Sequence, residues 1–285
     1  MKKTILLILF IATTCMANAV QYTKSDSVKV VSLLSEAQKR KLHTQQELVM
    51  FFTRQLYDIP YVASTLDVNR KEQLIVNLRQ LDCTTYVENV VALTLCSIKG
   101  KRTFDDFCKN LAFIRYRKGG GVCYPARLHY FTDWINDNVA AGICRNINSP
   151  RPPFSATQTI FVNYMTAHSD KYSMLKGNIS DQKEIKKVEK NLCGKKYAYI
   201  PKGRIDNSKL LRNTIHNGDI IVILTSKYGL DTQHLGFALW RKDGLHLVNA
   251  SSIHKKVVEE PMLLRTYLQK HKLMTGIRIV RIADK

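Results

Sequence analysis

Apolar and polar positions change rhythm along this chain. In the first third the rhythm is helical. The segment SVKVVSLLSEAQKRK (Ser27 to Lys41) is amphipathic, and Thr44-Gln45-Gln46-Glu47 has the form of a capping box. That box opens a second predicted helix through LVMFFTRQLY, ending before Pro60. The β-rich run Leu74 to Leu78 reads as a strand that delivers the chain to Cys83. From Thr84 the apolar residues Val87, Val90, Val91 and Leu95 recur at three and four, which predicts a helix, and TFDDFCKNLAFIRY predicts another. RKGGGVCYPARLHYFTDWINDN reads as a Gly-rich loop followed by a helical patch. The last third differs: GDIIVILTS, HLGFALWR, GLHLVNASS and TGIRIVRI are short β-rich runs, with Asn217-Gly218 and Asp243-Gly244 as turns. Helices first and antiparallel strands later make an α+β arrangement.

Residues 1–19 stand apart from this pattern. Lys2 and Lys3, the apolar ILLILFIA and Ala17-Asn18-Ala19 have the layout of an export signal cleaved after Ala19. A lipid anchor at Cys15 fits less well, because the preceding ATT places no small residue of the required kind beside the cysteine. No other stretch is long enough to span a bilayer. The expectation is an exported chain, periplasmic or secreted, whose residues 20–285 form a single domain with helices added at its N-terminal side. NSPRPPF (Asn148 to Phe154) reads as a stiff loop between halves of that fold. An apolar fraction of 45% suffices for a sizeable core and excludes a disordered chain.

Charge and cysteine content narrow the picture further. The formal charge of +21 becomes +19 once Lys2 and Lys3 are removed, an excess that attracts polyanions. Export makes nucleic acid the least fitting of these, and the basic runs QKRK and KEIKKVEK read as solvated helix faces. Six cysteines remain beyond the signal, and an even number in an exported chain suggests disulfides. If Cys83 is a nucleophile, Cys96, Cys108, Cys123, Cys144 and Cys193 allow at most two bridges. There is no CxxC, so no zinc cluster is expected, and nothing in the pattern calls for a metal or cofactor.

Candidate chemistry centres on LDCTTYVENVVALTL. Asp82 has the chemistry of an N-cap, which puts Cys83 in the first helical turn. There, free N–H groups and the helix dipole favour a thiolate over a thiol of ordinary pKa, roughly 8.5, whereas apolar burial does the reverse. The helix start alone leaves nucleophile and core thiol equally open. His234, at the entrance of the strand in LDTQHLGFALW and two residues before Gly236, is the best-placed base. The next strand offers His246 and Asn249 as orienting groups. They are an odd number of residues apart, so only one can face His234. Asn249 is preferred, since its amide oxygen can hold the Nδ1–H of an imidazole.

The stretches LDCTTYVENVVAL, RLHYFTDW, GDIIVI, LDTQHLGFAL and LVNAS resemble, in order, the motifs of the NlpC-type papain-like cell-wall amidases. The resemblance is to the branch first catalogued as a domain of unknown function and later recognised as N-acetylmuramoyl-L-alanine amidases. It runs from about STLDVN (Ser64 to Asn69) to the end. Cys83 falls on the nucleophile and His234 on the base. Asn249 falls where relatives carry a third polar residue, often the histidine of HAS; here the triplet is Asn249-Ala250-Ser251. The resemblance implies a papain-like core, a helix bearing the nucleophile packed on an antiparallel sheet bearing the base. It also implies cleavage of the amide between N-acetylmuramic acid and L-alanine, with anhydro-muramyl peptides as substrates, whereas most of the wider superfamily cuts within the stem peptide.

Five further residues are candidates for substrate contact. Tyr86, at i+3 from Cys83, is either an oxyanion donor or core packing. Arg127 is a carboxylate clamp or the structural partner of Asp133, and His129 and Tyr130 beside it are candidate cleft wall. Asp231 either binds an amino group of the ligand or shapes a turn after Gly229. Besides the muropeptide amidase, two readings stay open: an endopeptidase acting within the stem, and a non-catalytic basic protein that binds the wall.

Overall fold

A computed structural model describes residues 20–283; the residues read as an export signal, Cys15 among them, lie outside the described residues. Four helices come first: α1 (Lys24–Lys39), α2 (Gln45–Gln55), α3 (Cys83–Ile98) and α4 (Phe104–Arg115). Each of the four opens on a reciprocal capping box, at Thr23, Thr44, Asp82 and Thr103, so local hydrogen bonding sets all four starts. Then follow α5 (Phe131–Ala140), β1 (Cys144–Ile147), β2 (Ala156–Thr159), α6 (Tyr164–Ala167), α7 (Ile179–Leu192), β3 (Lys196–Pro201) and α8 (Lys209–Thr214). The chain ends with β4 (Ile220–Thr225), β5 (Thr232–Trp240), β6 (Leu245–Ser251), β7 (Lys256–Glu259), α9 (Leu264–Lys270) and β8 (Met274–Ile282).

The strands form an antiparallel sheet in the order β2-β3-β8-β4-β5-β6-β7, with β1 also pairing β8. Helix α3 is the axis of the helical layer. Every residue from Thr85 to Cys96 is buried, the mark of a helix packed on all sides. It rests on the sheet through Tyr86, whose ring meets Phe237 of β5 edge-on at 5.5 Å. Its one buried acid, Glu88, takes the Arg115 Nε–H at 2.7 Å, and Arg115 also donates to the Ile75 carbonyl. Both charges are thereby paired in a dry interior. The fold is α+β, with the nucleophile candidate at the N-terminus of its most buried helix.

One expectation needs correction. Leu74 to Leu78 forms no strand: Ile75 makes an isolated bridge to Gln21, the Leu78 N–H goes to Asp26 Oδ1, and Arg115 takes the Ile75 carbonyl. The apolar side chains are buried, but side chains of α1 and α4 supply hydrogen bonds that a neighbouring strand would have provided. None of Cys83, Cys96, Cys108, Cys123, Cys144 and Cys193 is bridged. The core is large enough to stand without such links. The stiff loop Asn148 to Phe154 connects β1 to β2, and QKRK and the lysines of α7 lie on solvated faces.

Candidate active site

Cys83 is the first residue of α3. Asp82 Oδ1 accepts the Thr85 N–H at 2.8 Å, and Thr85 Oγ1 accepts the Asp82 N–H at 2.9 Å. The thiol is therefore fixed in space by the helix start. The backbone N–H groups of Leu235 and Thr84 and the Thr84 hydroxyl lie near its sulfur and favour its charged form. Leu235 lies on β5 before the pairing with β6, which runs from Phe237 to Trp240. Beyond the end of that ladder, its N–H is directed to the cysteine.

Cys83 and His234, the residue before Leu235, line the same cleft. Between Ile223↔His234 and Leu224↔Thr232 the register of β4 and β5 shifts, leaving Gln233 as the extra residue of a bulge. Asn249 of β6 is fully buried, and its Oδ1 stands 2.9 Å from His234 Nε2. An amide oxygen can only accept, so the ring proton sits on Nε2 and Nδ1 is the basic nitrogen. This corrects the expectation that Asn249 would hold Nδ1–H. His246 is turned elsewhere: its Nδ1 lies 3.0 Å from the Glu260 carbonyl and its Nε2 3.1 Å from Asp243.

Cys83 and His234 open onto one cleft of about 180 Å³ that is also lined by His129, Tyr130 and Asp231. Both candidate groups are biased to neutrality. Dense packing, with a further contribution from the Asp82 carboxylate, pushes the Cys83 thiol up to about 12 although part of the residue remains at the cleft surface. Burial pulls His234 below its ordinary value, against the opposing effect of Asn249. Of the two opposing effects at this sulfur, desolvation outweighs the helix terminus in the free protein.

The five substrate-contact candidates divide. Tyr86 is wholly buried and its hydroxyl donates to the Thr53 carbonyl at 3.1 Å, so it packs the core and does not reach the cleft. Arg127, with its side chain 8% exposed, is clamped by Asp67 and lies 3.7 Å from Glu72 Oε1 and over the Tyr124 ring. It pairs neither with Asp133, which takes both Nη donors of Arg117, nor with anything in the cleft. Asp231 lines the cleft, but its Oδ2 accepts the Thr132 N–H at 2.7 Å. Helix α5 has no side-chain cap of its own, so this carboxylate from 99 residues away caps it. Tyr130 lends its ring to the cleft and its hydroxyl to Glu189 Oε1 at 2.7 Å. His129 points Nε2 at the Tyr124 carbonyl, 2.8 Å away, and burial with the nearby Arg127 charge keeps the ring neutral.

One residue escaped the sequence reading. Tyr61 lies on the segment bridged to Leu81, with the Val62 N–H on the Leu81 carbonyl at 3.1 Å. Burial, with further contributions from the neighbouring Cys83 and Asp82, pushes its phenol up to about 12, which places it near the thiol. Nothing in its local pattern signals this, because the contact depends on the approach of two irregular segments. Among the described residues no cluster of three or more His, Cys, Asp or Glu is placed to hold a metal ion. Among the same residues, no helix is long and apolar enough to cross a membrane.

Comparison with known proteins follows the same lines. Comparison with curated proteins finds no match. Among solved structures, an N-acetylmuramoyl-L-alanine amidase from Bacteroides uniformis is similar at 36% identity over 84% of this chain and 99% of its own, with a TM-score of 0.78. A putative xylanase from Bacteroides fragilis is similar at 39% identity over 81% and 99%, with a TM-score of 0.75. A Legionella pneumophila protein at 24% identity, over 91% and 95% with a TM-score of 0.68, shares the fold. Residues 51–277 match the family model described as N-acetylmuramoyl-L-alanine amidase-like, and with that extent of match the chain belongs to the N-acetylmuramoyl-L-alanine amidase-like family.

Proposed function

We propose that this protein is a cysteine-dependent hydrolase of muropeptides, acting outside the cytoplasm. It cuts the amide between N-acetylmuramic acid, in its anhydro form, and L-alanine. The observation that carries the reading is the 2.9 Å contact of His234 Nε2 with Asn249 Oδ1, which frees Nδ1 on a residue that lines one cleft with Cys83.

The chemistry starts from a neutral pair. As the sulfur attacks the lactyl carbonyl carbon, its proton passes to His234 Nδ1, and Asn249 holds the resulting imidazolium through Nε2–H. The oxyanion accepts from the Cys83 N–H, free at the helix start, and from the Tyr61 hydroxyl. One such donor is worth about 3 kcal/mol in comparable sites. Collapse of the tetrahedral adduct breaks the C–N bond, and His234 returns the proton to the departing nitrogen of L-alanine. Water, losing a proton to His234 Nδ1, then attacks the thioester carbonyl, and as the C–S bond breaks His234 returns that proton to the sulfur, restoring the thiol. His129, neutral and with Nε2 engaged, offers Nδ1 as an acceptor to a peptide N–H, while the Tyr130 ring shapes the cleft.

The test is digestion of defined muropeptides followed by mass spectrometry, with Cys83→Ala as control. Release of intact stem peptide from the sugar is the expected result. A shortened stem places the cut within the peptide instead. Unchanged substrate, or full turnover by Cys83→Ala, removes the mechanism.

A further inference from the structure

The cleft at Cys83 holds about 180 Å³, less than the roughly 300–1,000 Å³ of a site that buries a drug-sized ligand. A muropeptide exceeds that volume, so most of a substrate of the kind proposed above must lie along the rim. One rim carries two large rings in solvent. Phe161 is 47% and Tyr228 75% exposed, with ring centroids 4.9 Å apart. Neither gains the full stabilisation that burial gives an aromatic side chain, and exposed apolar surface beside a polar cleft marks ligand contact.

The rings are held in place. The N–H groups of Asn163 and Tyr164 both donate to the Gly229 carbonyl at 3.2 Å. Gly229 has φ +79°, and a Cβ there would stand 2.5 Å from Asn163 Oδ1. Only glycine permits this approach, which latches the β4–β5 loop bearing Tyr228 onto the segment bearing Phe161. The next residues on each side, Leu230 and Met165, line the catalytic cleft itself. The strip therefore continues the opening outward. Lys227 completes it, its Nζ lying 4.8 Å from the centroid of the Tyr164 ring.

We propose that Phe161 and Tyr228 form a sugar subsite, receiving the C–H face of a pyranose of the substrate glycan. A pyranose has apolar faces of polarised C–H bonds and a rim of hydroxyls. Its face matches the negative face of an aromatic ring, while its rim stays in water. The stem peptide carries carboxylates, which a ring face repels. The identity of the ligand rests on the amidase reading; the exposure and fixation of the rings do not.

The experiment uses the Cys83→Ala protein and calorimetric titration with two ligands that share one stem peptide. One is the disaccharide-peptide and the other the sugar-free lactyl-peptide. Tyr228→Ala and Phe161→Ala should each weaken the disaccharide-peptide about 5- to 10-fold. The lactyl-peptide should change less than about twofold, and Tyr228→Phe should retain affinity for both. Equal weakening of both ligands, or no change in either, overturns the proposal. The scissile bond is read separately from the products of the unmodified enzyme. A cut within the stem would thus remove the amidase reading while leaving the sugar contact measurable.

Discussion

The two walls of the cleft are built differently. One wall hangs on regular elements: Cys83 on the first turn of α3, His234 on β5 and Asn249 on β6. The other is made of loop segments and helix ends bearing His129, Tyr130, Met165 and Asp231. On the first wall, the candidate nucleophile Cys83 and the candidate base His234 face the cleft. On the second, Tyr130 and Asp231 have their polar atoms engaged by Glu189 and Thr132. Reactive groups need precise placement, which hydrogen-bonded helix and strand backbone supplies; the opposite wall has to supply shape.

His234→Ala would break the first wall, lowering kcat by about a thousandfold or more, with the melting temperature little changed. A protein that kept its turnover would show that the wall carries no chemistry. Arg127→Ala tests whether this arginine serves the substrate or the structure. It should lose about 3–5 kcal/mol in denaturant unfolding, because Asp67 and Glu72 lose the buried guanidinium that pairs them. Were stability unaffected and KM raised, Arg127 would be a substrate clamp after all. Asn249→Ala should cost about 10- to 100-fold in kcat, as a buried hydrogen bond worth roughly 1.5–3 kcal/mol to the imidazolium disappears.

The pH profile sharpens the same contrast. The base must be unprotonated to accept the thiol proton, and burial holds His234 below 6.5, so kcat/KM should rise on an acid limb below that pH. With Cys83 pushed up to about 12, no alkaline fall should appear near pH 8–9. A fall there would reveal a thiolate–imidazolium pair, whose imidazolium titrates in that range, roughly two units above an isolated histidine. The smallest effect belongs to the core beneath the cleft. Tyr86→Phe should lose about 1 kcal/mol of stability, through the hydrogen bond to Thr53, and keep its kcat/KM. A drop in kcat without loss of stability would return Tyr86 to the oxyanion.

What the chain determined by itself is what short-range physics encodes. The capping box at Thr44, the N-cap at Asp82, the three-and-four spacing through Leu95 and the short β-rich runs between turns in the last third concern residues within a few positions of one another. Those signals are enough to place Cys83 on a helix start and His234 and Asn249 on strands. The tertiary structure decided the rest, because the outcome depended on partners far along the chain. Asp231 became the cap of α5 across 99 residues, and Arg127 was captured by Asp67 across 60. Leu74 to Leu78 lost its strand to hydrogen bonds from α1 and α4, and Tyr61 came to the thiol without any local motif. The thiol's protonation turned the same way: a helix start is visible in sequence, but the dry packing that outweighs it exists only once the chain has folded around the sulfur.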